Sequence, residues 1–325
     1  MKKILYTVCS ANHLAHCQTM VQSFLQFNPG YEVVIGLVDK INGRFDPQRF
    51  APCRLLEVDT LAIPDFDQMA KQYTVIELNC AMKAFLAAYI MDHYAPDILL
   101  YLDADIWVFD SFDLIEERLK DHEIVLTPHF MEPMPDNELL PRERDLLRSG
   151  LYNAGFLGFK AGENTSRFIH WWCGHMTNEC YYRFEEGMGV DQNWLNLVPF
   201  FFEKVHVLKE KRANVAYWNL HERTITKTGN RWMVNEQEPL LFLHISGYRF
   251  STPEILSRHQ TRFNLADMPA LSELLHAYKQ QVVSNGYDGF IDLPCAFAKP
   301  VKKSTGLLRT LNRLLSPTGW KLSKV

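Results

Sequence analysis

The sequence predicts an α/β protein, a mixed, mostly parallel sheet flanked by helices with a helical C-terminal extension. Two observations carry that reading. Short, continuously apolar runs recur through the first hundred residues, and helical segments separate them. Such alternation is the pattern of strands joined by helical crossovers.

The elements follow in order. Ile4 to Cys9 is the first strand, and His13 to Phe27 the helix behind it, with Leu14, Val21, Phe24 and Leu25 along one side. Glu32 to Val38 is a second strand that ends at Asp39, and Leu55 to Val58 is a third. Thr74 to Tyr94 is helical, offers Ile76, Leu78, Met82, Phe85, Leu86 and Ile90 to a core, and stops before Pro96. Asp97 to Leu102 is the next strand. The second half is less regular. Gly155 to Phe159, Val205 to Leu208 and Leu240 to Ile245 read as strands, and Arg167 to Met176 and Asp191 to Leu197 as helical. Residues 230–239 read as a polar loop, and the chain from Thr252 onward as mainly helical, with a proline-containing break at residues 294–300.

Composition narrows the function classes. The chain has 325 residues, room for one large α/β domain or two small ones. A net charge of -4 gives the body of the protein no reason to bind nucleic acid. Seven scattered cysteines form no CxxC pair and no zinc-spaced cluster, which fits reduced thiols in a cytoplasm. The opening MKKILYTVCSA has the charge and apolar run of a short signal peptide, but Asn12 and His13 end the run early, as in a first buried strand. No run approaches the roughly 18 apolar residues of a spanning helix. A cytoplasmic location is expected.

The most informative stretch is LLYLDADIWVFD at residues 99–110. Two acids one residue apart inside so apolar a run are costly to bury unless something offsets their charge. If the strand continues past Leu102, alternation points Asp103 and Asp105 the same way. Two carboxylates converging at a strand end suit a divalent cation with oxygen ligands, Mg²⁺ or Mn²⁺. The plainer alternative is that Asp103 caps a turn and Asp105 is solvated. Haloacid-dehalogenase-like phosphohydrolases use such a pair, with the first Asp as nucleophile. There the pair follows the first strand and Thr or Val stands four residues on, whereas here three strands precede it and Trp107 stands there.

YLDADIWVFDSF resembles the DxD segment of the GT-A glycosyltransferases, and most of all glycosyltransferase family 8, which includes glycogenin and bacterial lipopolysaccharide galactosyl- and glucosyltransferases. Four further segments resemble that family in its own order: YNAGFLGFKAG (152–162), DQNWLN (191–196), NVAYWNL (214–220) and HISGYR (244–249). The resemblance implies a GT-A, Rossmann-like nucleotide-diphospho-sugar transferase fold and a metal-dependent transfer of a hexose from a UDP-sugar to a glycan hydroxyl. A bacterial surface polysaccharide or lipopolysaccharide is the implied acceptor, and retention of anomeric configuration is implied as well.

Roles follow residue by residue from the same resemblance. Asp103, Asp105 and His244 would hold the metal, Mn²⁺ somewhat better than Mg²⁺ for a mixed oxygen and nitrogen set. Without the family, His244 closing the strand LLFLH reads as structural. Cys9, Ser10 and Ala11 would wrap the base and ribose, and Asp39 would accept from the uracil N3–H, its alternative being a simple turn with Lys40. Lys83 would face the donor, its alternative being an exposed helical lysine. Asn153, Ala154 and Gly155 would line the sugar pocket, and Asp191 and Gln192 would meet the sugar hydroxyls and reacting face, making Asn153, Asp191 and Gln192 the catalytic set. Gly247 would let the backbone approach the diphosphate.

Two positions depart from the pattern. The family's phosphate-neutralising lysine falls at Phe250, which leaves Arg249 as the substitute. The third residue of the family's DQD is Asn193, which removes a side-chain nucleophile at that place. The leaving UDP oxygen would then assist the incoming hydroxyl, with Gln192 stabilising the oxocarbenium-like centre.

Aromatics at WWCGH (171–175) read as core, whereas Tyr181 and Tyr182 beside charged residues are acceptor-side candidates. The expected organisation is a catalytic domain at 1–250 (nucleotide half 1–110, sugar and acceptor half 111–250), a helical extension at 251–298, and a basic amphipathic tail at 299–325. In that tail, leucines at helical spacing beside Arg309 and Arg313 suit contact with the inner, anionic face of a membrane. A docked terminal helix is the alternative. The rival functions are a phosphohydrolase and a nucleotide- or glycan-binding relative without turnover.

Overall fold

Strand β1 (Lys3–Cys9) reads KILYTVC and is buried on both faces along almost its whole length, as a central parallel strand requires. A computed structural model, which describes residues 1–299, sets it inside a seven-stranded sheet. Helix α1 (Leu14–Phe27) carries the chain over to β2 (Glu32–Leu37), and β3 (Arg54–Glu57) follows, each strand parallel to the one before. Helices α2 (Phe66–Gln72) and α3 (Val75–Tyr94) then return the chain to β4 (Ile98–Leu102), which lies parallel to β1 on its other side. The strand order therefore reverses between β1 and β4. Open α/β sheets bind ligands in the crevice beyond the carboxyl ends of strands at such a switch point.

Local chemistry sets the ends of α3. The Thr74 side chain takes the Glu77 N–H and the Glu77 carboxylate takes the Thr74 N–H, a capping box, and Ala95 adopts a left-handed conformation just before Pro96.

After β4 come β5 (Ile106–Val108), α4 (Asp113–Asp121), β6 (Ile124–Pro128), α5 (Glu143–Ser149) and β7 (Tyr152–Lys160). Strand β7 lies antiparallel between β4 and β6 and makes the sheet mixed. Helix α6 (Glu163–Asn178) packs beside α3, the short β8 (Tyr182–Arg183) and β9 (Met188–Gly189) pair with each other, and α7 (Val198–Phe201) leads to β10 (Val205–Val207) at the sheet edge. The order across the sheet is β10-β6-β7-β4-β1-β2-β3. Strands β11 (Ile225–Thr228), β12 (Arg231–Val234) and β13 (Glu238–Pro239) form a small antiparallel sheet. Strand β14 (Phe242–His244) pairs with β5, and helices α8 (Pro269–Ser284) and α9 (Tyr287–Phe290) follow.

Apolar clusters cover both faces of the main sheet. One joins Leu14, Val21 and Phe24 of α1 to Leu100, Phe156, Phe242, Leu274 and Tyr278; the other joins Tyr6 and Leu99 to Leu78, Met82, Phe168 and Trp172. The expected mixed, mostly parallel sheet with flanking and C-terminal helices is therefore what the chain forms. No helix among the described residues is long and apolar enough to cross a membrane. The expected tail beyond Lys299 lies outside the described residues.

Three expectations need correction. Residues 230–239 are not a loop, because β12 and β13 lie there, and Ile225 and Val234 are buried opposite one another. The polar composition hid a hairpin whose two-residue turn is Gly229-Asn230. Residues 252–264 are irregular, and helix resumes only at Pro269. The helical segment expected at Asp191 to Leu197 is narrower, a 3₁₀ helix at Asn193–Leu197.

Candidate functional site

Strand β4 ends at Leu102, and the chain turns at once, the Ile106 N–H reaching the Asp103 carbonyl. Asp103 and Asp105 thus converge through a turn between β4 and β5, not through continued strand alternation. Two neighbours fix this turn. The Asp103 N–H donates to the Gly155 carbonyl of β7 (2.8 Å), and the Ile245 N–H donates to the Asp105 carbonyl (2.9 Å). Pairing of β14 with β5 then sets His244 opposite Ile106, next to the acids.

His244 Nε2 lies 3.2 Å from an Asp105 oxygen and 3.8 Å from an Asp103 oxygen. One ligand atom from each of the three residues falls within 4.8 Å of the others. The other ring nitrogen, Nδ1, lies 3.1 Å from Asn153 Oδ1 and 3.3 Å from Asn214 Oδ1. Both are acceptors, so Nδ1 carries the proton and Nε2 is left to accept, the arrangement of a metal-ligating histidine. Burial pulls the His244 pKa down, but Asp105 and Asp103 outweigh it and raise the value. Burial pushes the Asp105 carboxyl up, and His244, with His13 and His16 beyond it, brings it down to about 2.

Lys83 is not an exposed helical lysine. Its side chain is 8% exposed, and its ammonium sits 3.0 Å from Asp103, 2.9 Å from Asp191 and 3.1 Å from the Ala154 carbonyl. It also lies over the Tyr101 ring, whose hydroxyl donates to Asp103. Burial disfavours the Lys83 ammonium, yet Asp103 and Asp191 hold its pKa well above the ordinary value. Burial raises the Asp191 pKa against the pull of Lys83. Asp103 and Asp191 share the one ammonium, and Asp105 adds a third carboxylate beside them (three minus one leaves two negative charges). A divalent cation on the oxygen and nitrogen set of Asp103, Asp105 and His244 balances that excess, so the residues fit a metal.

Asn153 is the hub behind the histidine. Its Oδ1 accepts from the Gly155 N–H and the Asn214 amide, and its Nδ2 donates to Gln192 Oε1 (3.1 Å). Gln192 Oε1 also accepts the Ala154 N–H, and its Nε2 donates to the Ser149 carbonyl (2.7 Å). The amide that resemblance places at the sugar is thus clasped on both ends. A Cβ at position 155 would run into the His244 ring and the Asn153 amide, so only glycine lets these two meet.

Cys9 ends β1, Ser10 and Ala11 follow it, and all three are buried. Asp39 closes the corner after β2. It is fully buried, and its carboxylate receives the Ala11 N–H (3.2 Å), the Lys40 N–H (2.8 Å), the Arg44 guanidinium (2.5 Å) and the Ala296 N–H (2.8 Å). Gly247 has φ +74, and a Cβ there would meet His259 and Ser257. Arg249 is exposed, and Phe250 packs on His16 and Tyr287. Asn193 donates to the Arg148 and Gly187 carbonyls, which makes it a loop fastener. Trp172 is core, Trp171 is partly buried against it, and Tyr182 is exposed.

Sequence reasoning assigned no role to Tyr101, His129, Asn214 or Trp218. Asn214 orients His244, Trp218 packs edge-on against the His244 ring at 5.1 Å, and His129 stacks edge-on against Trp218. Only the segment NVAYWNL carried a signal for two of them.

No family model matches the chain. It is 28% identical over 192 residues to the uncharacterized protein YfnF of Bacillus subtilis, which covers 58% of this chain and 62% of that one. The chain thus aligns with less than two thirds of that relative. Its structure is similar to the galactosyltransferase LgtC in complex with donor and acceptor sugar analogs (16% identity, TM-score 0.49, 90% of this chain and 97% of that one). It is similar also to the apo glycosyltransferase GlyE of Streptococcus pneumoniae (15% identity, TM-score 0.49, 91% of this chain and 66% of that one). Function therefore rests on the side chains of this chain rather than on those likenesses.

Proposed function

We propose that this protein is a metal-dependent glycosyltransferase that moves a hexose from a UDP-sugar to a hydroxyl of a glycan. The observation that carries the reading is the convergence of Asp103, Asp105 and His244, from two segments far apart in sequence, beside Lys83 and Asp191 at the switch point of the sheet.

Asp103, Asp105 and His244 would hold Mn²⁺ or Mg²⁺, which when bound supplies positive charge to the donor's diphosphate. Asn153 and Asn214 keep the His244 proton on Nδ1. Lys83 holds Asp103 and Asp191 together and stabilises negative charge developing at the leaving group. Asp191, backed by Lys83, accepts from sugar hydroxyls, and Gln192 presents its amide near the anomeric carbon. The bond from C1 to the diphosphate oxygen breaks, the acceptor oxygen bonds to C1, and the acceptor's proton passes to the departing diphosphate. Asn193 supplies no nucleophile. The seven cysteines are unpaired, in keeping with work in a cytoplasm. Residues 1–250 would hold the catalytic machinery, with 251–298 packed against it and the tail available to an anionic membrane. A phosphohydrolase using Asp103 has less support, because Tyr101 and Lys83 already engage one of its oxygens.

The test is thermal stabilisation by UDP with and without Mn²⁺. UDP should stabilise the protein only with metal, and Asp105→Asn should abolish the effect. Equal stabilisation by UDP in EDTA would overturn the metal assignment, and phosphate release from simple phosphoesters would favour the hydrolase.

A further inference from the structure

A pocket of about 300 Å³ opens between the end of α1, strand β5 and the β11–β12 hairpin, and it shares no lining residue with the site described above. Half-buried Phe27, Trp107 and Trp232 line it, together with the polar side chains of Gln26, Asp110, Asn230 and Arg231. Its volume is at the lower end of small-molecule sites, about 300–1,000 Å³.

The walls are fastened. The Trp107 ring lies 4.9 Å from that of Phe109 and 5.6 Å from that of Tyr278 on α8. The Lys227 ammonium sits over the Trp232 ring at 4.9 Å and is held in turn by Glu273 of α8 (2.6 Å). The Val108 N–H donates to Ser23 Oγ (3.1 Å), which ties β5 to α1, and Arg212 donates to Asp110 (2.9 Å) and the Pro239 carbonyl (3.3 Å). The polar lining is not engaged in the same way. Among the described residues the side chains of Gln26, Asn230 and Arg231 meet no protein partner. Asp110, its side chain 35% exposed, keeps lone pairs open beyond its bonds to Ser111 and Arg212. Fixed aromatic walls around idle amide, guanidinium and carboxylate groups are the makings of a ligand site.

The lining also selects the ligand. A guanidinium and a carboxylate in one pocket offset each other, so neither an anion nor a cation is favoured. Donors and acceptors side by side suit neighbouring hydroxyls, each of which is both. Aromatic rings cover the C–H face of a saturated ring, whereas a lipid tail would leave the polar groups unpaired. We infer that this pocket binds an uncharged pyranose ring of a glycan, stacked on Trp232 and hydrogen-bonded by Gln26, Asp110, Asn230 and Arg231. Its role rests on the proposed transferase reading, for which it supplies a second hold on the acceptor chain, outside the Asp103–Asp105–His244 group.

The experiment titrates methyl β-galactoside, lactose and maltotriose into the full chain in EDTA and follows tryptophan emission. At least one probe should change the emission of wild type saturably. Gln26→Ala and Arg231→Ala alter exposed side chains and should each weaken binding about three- to tenfold, the scale of a lost hydrogen bond. Trp232→Ala should abolish binding, and Trp232→Phe should retain it. All four variants should keep the wild-type stabilisation by UDP with Mn²⁺. No saturable response to any probe overturns the site, as does unchanged binding in the double variant of Gln26→Ala with Arg231→Ala. Displacement of the sugar by UDP with Mn²⁺ would place it at the donor centre and overturns the site too. A wild type that binds sugar but is not stabilised by UDP with Mn²⁺ sinks the transferase reading and leaves the pocket standing, so the two failures are distinguishable.

Discussion

Lys83→Met is the sharpest perturbation of the site that leaves its shape nearly intact, since methionine fills the path of the lysine stem. The lysine side chain is 8% exposed, Asp191 is 3% exposed, and Asp103 is 26% exposed. Removing one partner of a buried ion pair costs about 3–5 kcal/mol, because the remaining charge stays buried without compensation. Asp103 keeps partial access to water and keeps Tyr101, so most of the penalty falls on Asp191 and the lower end, about 3 kcal/mol, is expected. Urea unfolding in EDTA, followed by tryptophan fluorescence, measures this directly. The double variant Lys83→Met with Asp191→Asn removes the stranded charge and should recover most of the loss. A single-variant cost below about 1 kcal/mol, the range of exposed pairs, would refute the tether. So would a double variant no more stable than the single one.

Gly155→Ala should push the His244 ring off its asparagine, cost about 1–3 kcal/mol, and remove Mn²⁺-dependent stabilisation by UDP; retained stabilisation would contradict the close approach described here. Asn193→Asp sets a carboxylate against the Arg148 and Gly187 carbonyls, so it should destabilise by about 1–3 kcal/mol without raising the transfer rate, and a faster enzyme would restore a nucleophile at that place. His129 is buried, and burial brings its imidazole down from the ordinary 6.5 to about 4. The unfolded chain binds the proton first, so this contribution is complete above pH 6.5 and lost as pH falls toward 4. It amounts to roughly 3 kcal/mol. Comparing urea stability from pH 7 to 4, His129→Gln should flatten the fall, and parallel curves for the two proteins would exclude it.

The elements most legible from sequence were the strands with nearly unbroken apolar runs, β1, β2 and β4, because burial on both faces leaves few polar residues in the pattern. Asp103 and Asp105 stood out for the same reason, as charge where the pattern forbids it. Less legible was whatever depends on pairing between distant segments. Lys83 sits in an ordinary helical pattern and becomes a three-way tether only when β7 brings Ala154 and the Asp191 loop alongside. Asp39 ends a strand as a base-binding acid would, and it also holds the Ala11 N–H, the Arg44 guanidinium and the Ala296 N–H. The last of these lies too far along the chain for any local signal. The hairpin at Gly229-Asn230 was hidden by its polar faces.

That engagement of Asp39 has a consequence for how the protein comes into being. The corner between β1 and β2 is fastened by the Ala296 N–H, and Arg44, which pairs with Asp39, also donates to the Pro294 carbonyl. Asp39 is therefore satisfied by a residue 257 positions further along the chain. A nascent chain carries this corner with an unfilled acceptor until residues 294–296 have emerged. Fragments ending near residue 250 lack both the fastening and the apolar cover of α8 on α1, so they are candidates for capture by chaperones or proteases rather than for independent catalysis.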